Sequence, residues 1–261
     1  MGKIISLVNQ KGGVGKTTSS INLAASLGLL KQKVLLVDLD PQGNATTGIG
    51  INKGDVKKSG YDLLIDRARV TDVIVKTPYQ NLYAVPASIN LAGVDIELME
   101  KSRHDKNFNK GGQLKKHLLQ IKDQYDYIII DCPPSLGILT TNALSASDSV
   151  IIPVQCEYFA LEGIMQLLNS VMMAQKNINQ NLEIEGVLLT MLDRRTNLGL
   201  EVVEEIKNYF KERVYDTIIP RLVRLSEAPS HGKPISEYDP LSKGTEAYIN
   251  LAKEVIERNG K

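Results

Sequence analysis

The sequence predicts an α/β protein with a doubly wound, mainly parallel sheet that carries helices on both faces. Short runs that are apolar at every position alternate along the chain with segments whose apolar residues have helical spacing. Continuous apolar runs are typical of parallel strands buried on both faces, and strands that alternate with helices are joined by right-handed crossovers. No repeat, low-complexity segment or Pro/Ser-rich linker interrupts the alternation, so we predict a single domain over residues 1–261.

The individual elements follow from the same two patterns. The first strand is a β-branched run at residues 4–8, and a helix at 19–31 follows it after a glycine-rich loop. Residues 60–101 have the pattern of short helices around one strand. The other predicted strands lie at residues 34–37, 81–86, 127–131, 150–154, 186–189 and 215–219, and the other helices at 161–175, 201–211 and 244–258.

Composition and charge exclude several classes of protein. The chain has 261 residues of which 43% are hydrophobic, enough for one large core. Its 31 basic and 30 acidic residues leave a net charge of +1, so any DNA-binding surface has to be local. Two cysteines, Cys132 and Cys156, cannot form a disulfide framework, and the sequence shows neither a signal segment nor an apolar run of transmembrane length. We therefore expect a cytoplasmic protein.

The loop after the first strand has the composition of a phosphate-binding loop. It reads Lys-Gly-Gly-Val-Gly-Lys-Thr-Thr over residues 11–18. Glycines let successive backbone N–H groups turn towards one anion, the second lysine adds a fixed charge, and the following threonine hydroxyl suits Mg²⁺. We predict ATP and Mg²⁺ as ligands, with Thr17 on the metal and nucleotide contacts from Lys11, Gly12, Gly13, Val14, Gly15, Lys16, Thr17 and Thr18.

Two residues distinguish this loop from the common P-loop pattern. The chain has Gln10 where most such loops have glycine, and it has a second lysine at Lys11. This is the deviant Walker A form of the P-loop NTPases. A dinucleotide-binding loop is the main alternative, because Gly13 and Gly15 follow a strand, but its third glycine would stand where this chain has Thr18.

Two aspartates follow buried strands and complete the predicted site. Asp131 closes an apolar run as the aspartate of a Walker B motif does, and Asp40 leaves the second strand in an Asp-Pro-Gln-Gly loop. The carboxyl ends of parallel strands share one edge, so we expect both aspartates to lie near Mg²⁺ or to bind it through water. Asp40 is the candidate for orienting the attacking water, and the alternative is a turn-forming aspartate.

These motifs resemble those of the ParA/Soj partition ATPases of bacterial chromosomes and plasmids, within the wider MinD and nitrogenase iron-protein group. The resemblance extends to residues 38–44, 130–137, 153–163, 188–197 and 220–234. It implies an ATP-hydrolysing enzyme that forms an ATP-sandwich homodimer. In such a dimer Lys11 reaches the phosphates bound by the partner subunit, so Lys11, Lys16 and Asp40 are the expected catalytic residues.

The resemblance also implies contacts outside the P-loop. Met191 and Pro220 match positions that line the adenine, and Arg195 and Arg224 match positions that contact double-stranded DNA without sequence preference. Hydrolysis would be stimulated by a ParB-type centromere-binding protein, and the ATP-bound form would associate with the nucleoid. Residues 101–122 hold seven lysines or arginines and one acid, and either a solvated loop or a nucleic-acid contact explains that stretch.

Two rival functions share the same loop. A MinD-like membrane-associated positioning ATPase needs a basic amphipathic C-terminal helix, but here Asn259-Gly260-Lys261 follows the apolar stripe that ends at Ile256, so we expect the stripe to pack on the sheet and no membrane binding. An iron protein of the nitrogenase type would place two cysteines at a dimer axis. Cys132 and Cys156 lack the glycine-rich surroundings of such ligands, so we expect buried thiols.

Overall fold

A seven-stranded sheet forms the centre of the computed structural model, which describes residues 2–157 and 160–260. The strands are β1 (Lys3–Leu7), β2 (Val34–Asp38), β3 (Val75–Lys76), β4 (Leu82–Val85), β5 (Tyr127–Asp131), β6 (Ser149–Gln155) and β7 (Glu183–Thr190). They lie in the order β3-β4-β2-β5-β1-β6-β7, and every neighbouring pair is parallel except β3 with β4. The predicted fold class is therefore confirmed.

Helices connect these strands and cover both faces of the sheet. They are α1 (Lys16–Leu29), α2 (Asn44–Gly48), α3 (Gly60–Leu64), α4 (Val70–Val73), α5 (Val94–His104), α6 (Gln113–Leu118), α7 (Ile138–Ala146), α8 (Ala160–Asn177), α9 (Asn197–Phe210), α10 (Val223–Glu227), α11 (Ile235–Tyr238) and α12 (Lys243–Arg258). Short 3-10 turns lie at Lys53–Asp55, Ile89–Gly93, Lys122–Gln124, Lys211–Arg213 and Ala228–His231.

Successive strand residues point into two separate cores. Ile4 belongs to the core under α5, α7, α8 and α9, whereas the next residue, Ile5, belongs to the core under α1 and α12. Ile128 and Ile129 of β5 divide in the same way. This alternation follows from the two-residue period of a strand, and it explains why the central strands are apolar at every position.

The strand order reverses at β1, and this reversal positions the site. β1 pairs with β5 on one side and β6 on the other, and Leu7 lies opposite Asp131 in the register. The next strand pair brings Asp38 opposite Asp131. The loops that follow β1, β2 and β5 therefore leave the sheet side by side at its carboxyl edge, where doubly wound proteins bind their ligands.

The structure differs from the sequence-based prediction at several elements. Residues 215–219 do not form a strand: isolated bridges join Val214 to Val187 and Pro220 to Leu192, and the amides of Tyr215 and Ile219 donate to carbonyl oxygens of β7. The reason is that the amides of Asp216 and Thr217 donate to the Glu254 carboxylate of α12 rather than to the sheet. The helix predicted at 19–31 begins at Lys16, directly after Gly15, and the helix α7 after the Cys-Pro-Pro-Ser loop was not predicted.

Candidate functional site

The loop between β1 and α1 has the backbone of an anion cradle. Gly13 and Gly15 have φ angles of 77° and 86°, in the left-handed region that costs a residue with a Cβ about 1–2 kcal/mol. No side chain caps α1, and its first turn has no acidic residue. The positive end of a 14-residue helix therefore faces the loop with no capping side chain and no acidic residue in its own first turn, which suits an anion-binding site.

Lys16 lies inside the cradle rather than on the surface. Only 7% of the residue is exposed, and its Nζ donates to the carbonyl oxygen of Lys11 at 3.1 Å. Burial lowers the pKa of Lys16, and the charges of Asp131 and Asp40 oppose that change. The ammonium is thus held against the loop backbone, close to the charges of Asp131 and Asp40.

Asp131 is the buried carboxylate of the site. Thr17 Oγ1 donates to Asp131 Oδ2 at 2.8 Å, and Ser20 Oγ donates to Asp131 Oδ1 at 2.9 Å. Burial raises the pKa of Asp131, and the neighbouring charge of Asp38 raises it further. The sequence predicted Asp131 and Thr17 near each other, whereas Ser20 was missed because a serine in a helix carries no motif of its own.

Asp40 stands on a loop that a second buried carboxylate organises. Asp38 accepts hydrogen bonds from the amide and hydroxyl of Thr46 at 2.8 and 2.7 Å and from the amide of Asp40 at 3.1 Å. Asp40 itself is half-buried, and its Oδ1 accepts from the amide of Gln42 at 2.9 Å. Asp40 therefore does form a turn, and within the described residues its Oδ2 has no hydrogen-bond donor.

Lys11 is exposed to solvent, whereas Lys16 is buried. The amide of Lys11 donates to Asn9 Oδ1 at 3.0 Å, which shapes the loop entrance. Its side chain is 47% exposed, and its Nζ lies 3.5 Å from Glu157 Oε2. An exposed ion pair at this distance contributes at most about 1 kcal/mol, so it does not prevent the ammonium from reaching another partner.

The end of β7 closes the site from the other side. Thr190 Oγ1 donates to the carbonyl oxygen of Val14 at 2.9 Å, a buried tie between β7 and the P-loop that the sequence did not reveal. Met191 follows with a φ of 56°, and its Cε would lie 3.6 Å from a Cβ placed on Gly15. Pro220 bridges to Leu192. Met191 thus borders the P-loop, whereas Pro220 pairs with the residue that follows Met191, and their contact with adenine stays a prediction.

The two arginines assigned to DNA lie outside this cluster. Arg195 has an 88% exposed side chain and binds Asp193 through Nε and Nη2 at 2.9 and 2.6 Å. These hydrogen bonds hold the pKa of Asp193 well below its usual range. Arg224 is 61% exposed and lies 3.1 Å from Asp239. Both guanidinium groups can reach an external ligand, but each already has an aspartate partner.

The basic stretch at residues 101–122 is only partly free. Lys101 donates to the carbonyl oxygen of Ile65, Lys116 binds Asp66 at 2.8 Å, and Lys122 binds Asp148 at 2.7 Å. These three lysines are used within the fold. The other basic side chains of the stretch have no ion-pair partner among the described residues, and they are Arg103, Lys106, Lys110 and Lys115.

Both cysteines and the C-terminal stripe are buried. Burial raises the pKa of Cys132 far above its ordinary value and the pKa of Cys156 to about 11, so both are poor ligands for a surface cluster.

Tyr248 and Leu251 of α12 belong to the core that they share with α1. In the part of the chain that the structure describes, no helix has the length and apolar character needed to cross a bilayer.

The donor set beside the loop fits Mg²⁺. The Thr17 hydroxyl and the Asp131 carboxylate are hard oxygen ligands at one end of the cradle. Residues 2–157 and 160–260 contain no group of three or more His, Cys, Asp or Glu side chains that could hold a metal ion alone. Mg²⁺ commonly takes one or two protein oxygens and completes its shell with phosphate and water, so a site for Mg²⁺ with a nucleotide does not need such a group.

Comparisons with known proteins agree on the class of site. The profile of the AAA domain family matches residues 2–184. The sporulation initiation inhibitor protein Soj of Bacillus subtilis (strain 168) is 62% identical over 255 residues, which cover 98% of this chain and 98% of that protein. The chromosome-partitioning ATPase Soj of Treponema pallidum (strain Nichols) is 52% identical over 260 residues, which cover 100% of this chain and 99% of that protein.

A solved structure supports the fold. Cobyrinic acid a,c-diamide synthase from Mycobacterium smegmatis, crystallised with ADP and magnesium, has a TM-score of 0.84 at 32% identity and covers 100% of this chain and 97% of that chain. The name of that enzyme differs from the names of the sequence relatives, which is expected because one fold carries many functions. The two relatives with 62% and 52% identity therefore carry the argument about function.

Proposed function

This chain belongs to the ParA/Soj family of chromosome-partitioning ATPases, and we propose that it uses ATP to switch between a DNA-bound and a free state during chromosome or plasmid partition. The observation that carries the proposal is the buried contact of Thr17 and Ser20 with Asp131 beneath an uncapped helix and a glycine loop. This arrangement fits Mg²⁺ and the phosphates of a nucleotide. In this proposal residues 1–261 act as one ATPase domain.

Each nucleotide contact has its own part in the proposal. The backbone of residues 12–15 and the ammonium of Lys16 bind the phosphates, and Thr18 continues the helix terminus below them. Thr17 and Asp131 hold Mg²⁺, which when bound neutralises charge that develops on the phosphates. Met191, which lies beside Gly15, and Pro220, which bridges to Leu192, are the proposed adenine contacts.

Hydrolysis of ATP to ADP and phosphate needs a water aligned with the terminal phosphorus atom. The Oδ2 atom of Asp40 is available for this water, because Oδ1 is used by the turn at Gln42. Lys11 acts in the second subunit of an ATP-bound homodimer, where its exposed ammonium reaches the partner's phosphates. Such a dimer forms with ATP and separates after hydrolysis, because the bound phosphates connect the two subunits.

The biological switch follows from this dimer. The ATP-bound dimer binds double-stranded DNA without sequence preference through Arg195 and Arg224, so the protein associates with the nucleoid. A ParB-type centromere-binding protein stimulates hydrolysis and releases it. The high identity to partition ATPases along the whole chain supports this sequence of events over a membrane-positioning role.

Sedimentation separates the proposed switch from its membrane alternative. We expect the protein to sediment with non-specific duplex DNA in the presence of Mg²⁺ and ATP, and not with ADP. Anionic liposomes should not sediment it with either nucleotide. Lys16→Ala is the matched control, since it should lose DNA binding along with the nucleotide. Sedimentation with liposomes but not with DNA would contradict the proposal.

A further inference from the structure

The loop that carries Asp40 has a support from another segment of the chain. The ammonium of Lys53 donates a hydrogen bond to the carbonyl oxygen of Gln42. The loop's own hydrogen bonds are short-range: Gln42 N donates to Asp40 Oδ1 at 2.9 Å, and Gly43 N donates to the Asp40 carbonyl oxygen at 2.8 Å. Among the described residues, Lys53 is thus the downstream side chain that holds the backbone between Asp40 and α2.

Gly43 leaves the space that the lysine occupies. Its φ of 59° is in the left-handed region, and a Cβ placed on it would lie 2.8 Å from Lys53 Cε. A side chain at this position would therefore push the lysine stem off the loop. The close approach of stem and backbone means that the loop packs against Lys53 as well as bonding to it.

The backbone of Lys53 is itself fixed before it reaches the loop. It begins a 3-10 turn that Asn52 caps by accepting from the amide of Gly54 at 3.1 Å. The amide group of Asn52 also donates to Asp55 Oδ2 at 3.1 Å. A capped turn restricts the origin of the lysine side chain, so less conformational freedom is lost when its ammonium binds the Gln42 carbonyl.

We propose that Lys53 is a positioning residue for ATP hydrolysis, which holds the peptide between Gln42 and Gly43 and thereby fixes the turn that directs the Asp40 carboxylate. This inference rests on the proposed role of Asp40 in orienting the water. The amide of the peptide that Lys53 holds, Gly43 N, donates to the Asp40 carbonyl oxygen, and Gln42 N donates to the Asp40 carboxylate, so a rotation of that peptide disturbs both bonds that orient Asp40. Misalignment of a catalytic group lowers the rate of the chemical step more than it weakens substrate binding.

The expected effect is several-fold rather than complete. Lys53 is exposed, so water competes for its hydrogen bond and other contacts still shape the loop. We expect Lys53→Met to lower kcat for ATP hydrolysis by about 3- to 10-fold, with the Kd for ATP changed by less than about twofold. Methionine keeps the apolar stem against Gly43 and removes the donor.

Three further variants test this assignment. Lys53→Arg restores a donor at the same place and should recover most of the rate. Lys57→Met is the matched control, because Lys57 is an exposed lysine of the same surface segment with no hydrogen bond or ion pair among the described residues. It should behave as wild type. In an Asp40→Ala background, Lys53→Met should have no further effect on the residual rate, because the two residues act through one group.

The outcomes separate this inference from the function on which it rests. If Asp40→Ala hydrolyses ATP at the wild-type rate, the proposed role of Asp40 is wrong, whatever Lys53 does. If Asp40→Ala is inactive while Lys53→Met keeps wild-type kcat, Asp40 retains its role and the positioning by Lys53 is overturned. A Lys53→Met variant that loses ATP affinity and rate together would also overturn it, since that pattern indicates general damage to the site.

Discussion

The buried charges beside the P-loop and the exposed arginines assigned to DNA are built in opposite ways. Lys16 and Asp131 are 7% and 0% exposed, and their hydrogen-bond partners come from the P-loop and from α1. Arg195 and Arg224 are 88% and 61% exposed, and each is paired with one aspartate at the surface. A buried charge needs partners within the fold, whereas an exposed charge is already solvated.

This difference decides what the structure can say about each region. Burying the charges of Lys16 and Asp131 costs free energy. Charged side chains at such buried positions are therefore candidates for a functional site, and the uncapped start of α1 indicates that the ligand is an anion. An exposed arginine changes the free energy of unfolding little, whichever surface position it occupies. Their function depends on a molecule outside the chain, so it rests on family membership and on the experiments below.

Removing the buried lysine should give the largest effect. We expect Lys16→Ala to weaken ATP binding by roughly 100-fold or more, because it deletes the fixed charge in the cradle. Lys11→Ala is the matched variant from the exposed side of the loop. It should bind ATP as a monomer within a few-fold of wild type and fail in dimerisation. Equal losses of nucleotide affinity, measured by fluorescent-nucleotide titration, would remove the distinction between the two lysines.

A bulky residue at Gly12 tests whether the exposed side of the loop meets a second subunit. A Cβ at Gly12 would meet nothing within 4 Å, and its φ is outside the left-handed region that Gly13 and Gly15 need. Gly12→Val should therefore leave the isolated subunit intact and bind ATP. Overpacking costs about 1–3 kcal/mol in a close contact, so dimerisation with ATP should weaken about tenfold or more. An ATP-dependent dimer of wild-type strength in light scattering would contradict the sandwich arrangement.

The buried carboxylates give the nucleotide-free protein a defined pH dependence. Burial raises the pKa of Asp131 from 3.8 to about 7 and the pKa of Asp38 to about 6. The folded state then binds more protons than the unfolded state, so stability is greatest at low pH within this window and falls as pH rises through it. Without Mg²⁺, we expect the free energy of unfolding to fall by roughly 1–3 kcal/mol between about pH 5 and about pH 8.

Asp131→Asn is the variant that isolates this effect. The hydroxyl that faces the new NH2 group can reverse its hydrogen bond and accept, while the other hydroxyl still donates to Oδ1, so the variant removes the charge without leaving unpaired groups. Its urea unfolding should depend less on pH than that of wild type. An unchanged pH dependence would show that Asp131 is already ionised in the free protein.

Main-chain geometry and strand order limit where the residues beside the P-loop can lie, and both can be predicted from the sequence. A glycine loop before a helix, with aspartates after two parallel strands, predicts where Lys16, Asp40 and Asp131 meet. Ser20, Thr190 and Lys53 were not found, because each acts through one long-range contact that no local pattern encodes. The strand predicted at 215–219 failed for the same reason, since Glu254 takes the amides that a strand would use.

The smallest expected effect is the change in DNA affinity when the exposed arginines are altered. Removing an arginine should lower this affinity, and removing its aspartate partner should raise it. Neutralising one phosphate contributes about −0.9 to the slope of log K against log salt concentration, so Arg224→Ala should flatten this slope by roughly one to two units per dimer. It should lower affinity for all sequences alike. Asp239→Asn releases Arg224 from its 3.1 Å pair and should raise DNA affinity by at most about fivefold.

Lys106 and Lys110 provide the control for general charge. Both are exposed and have no ion-pair partner within the described chain, so they are better solvated cations than the paired Lys116. If the arginine surface is the contact, neutralising both lysines changes DNA binding little, and Asp239→Asn acts in the opposite direction to Arg224→Ala. If the lysine pair abolishes binding while the arginine and aspartate variants match wild type, the contact lies on residues 101–122. Exposure would then have been a better guide than family membership, because cations without an ion-pair partner among the described residues would be the ones that bind DNA.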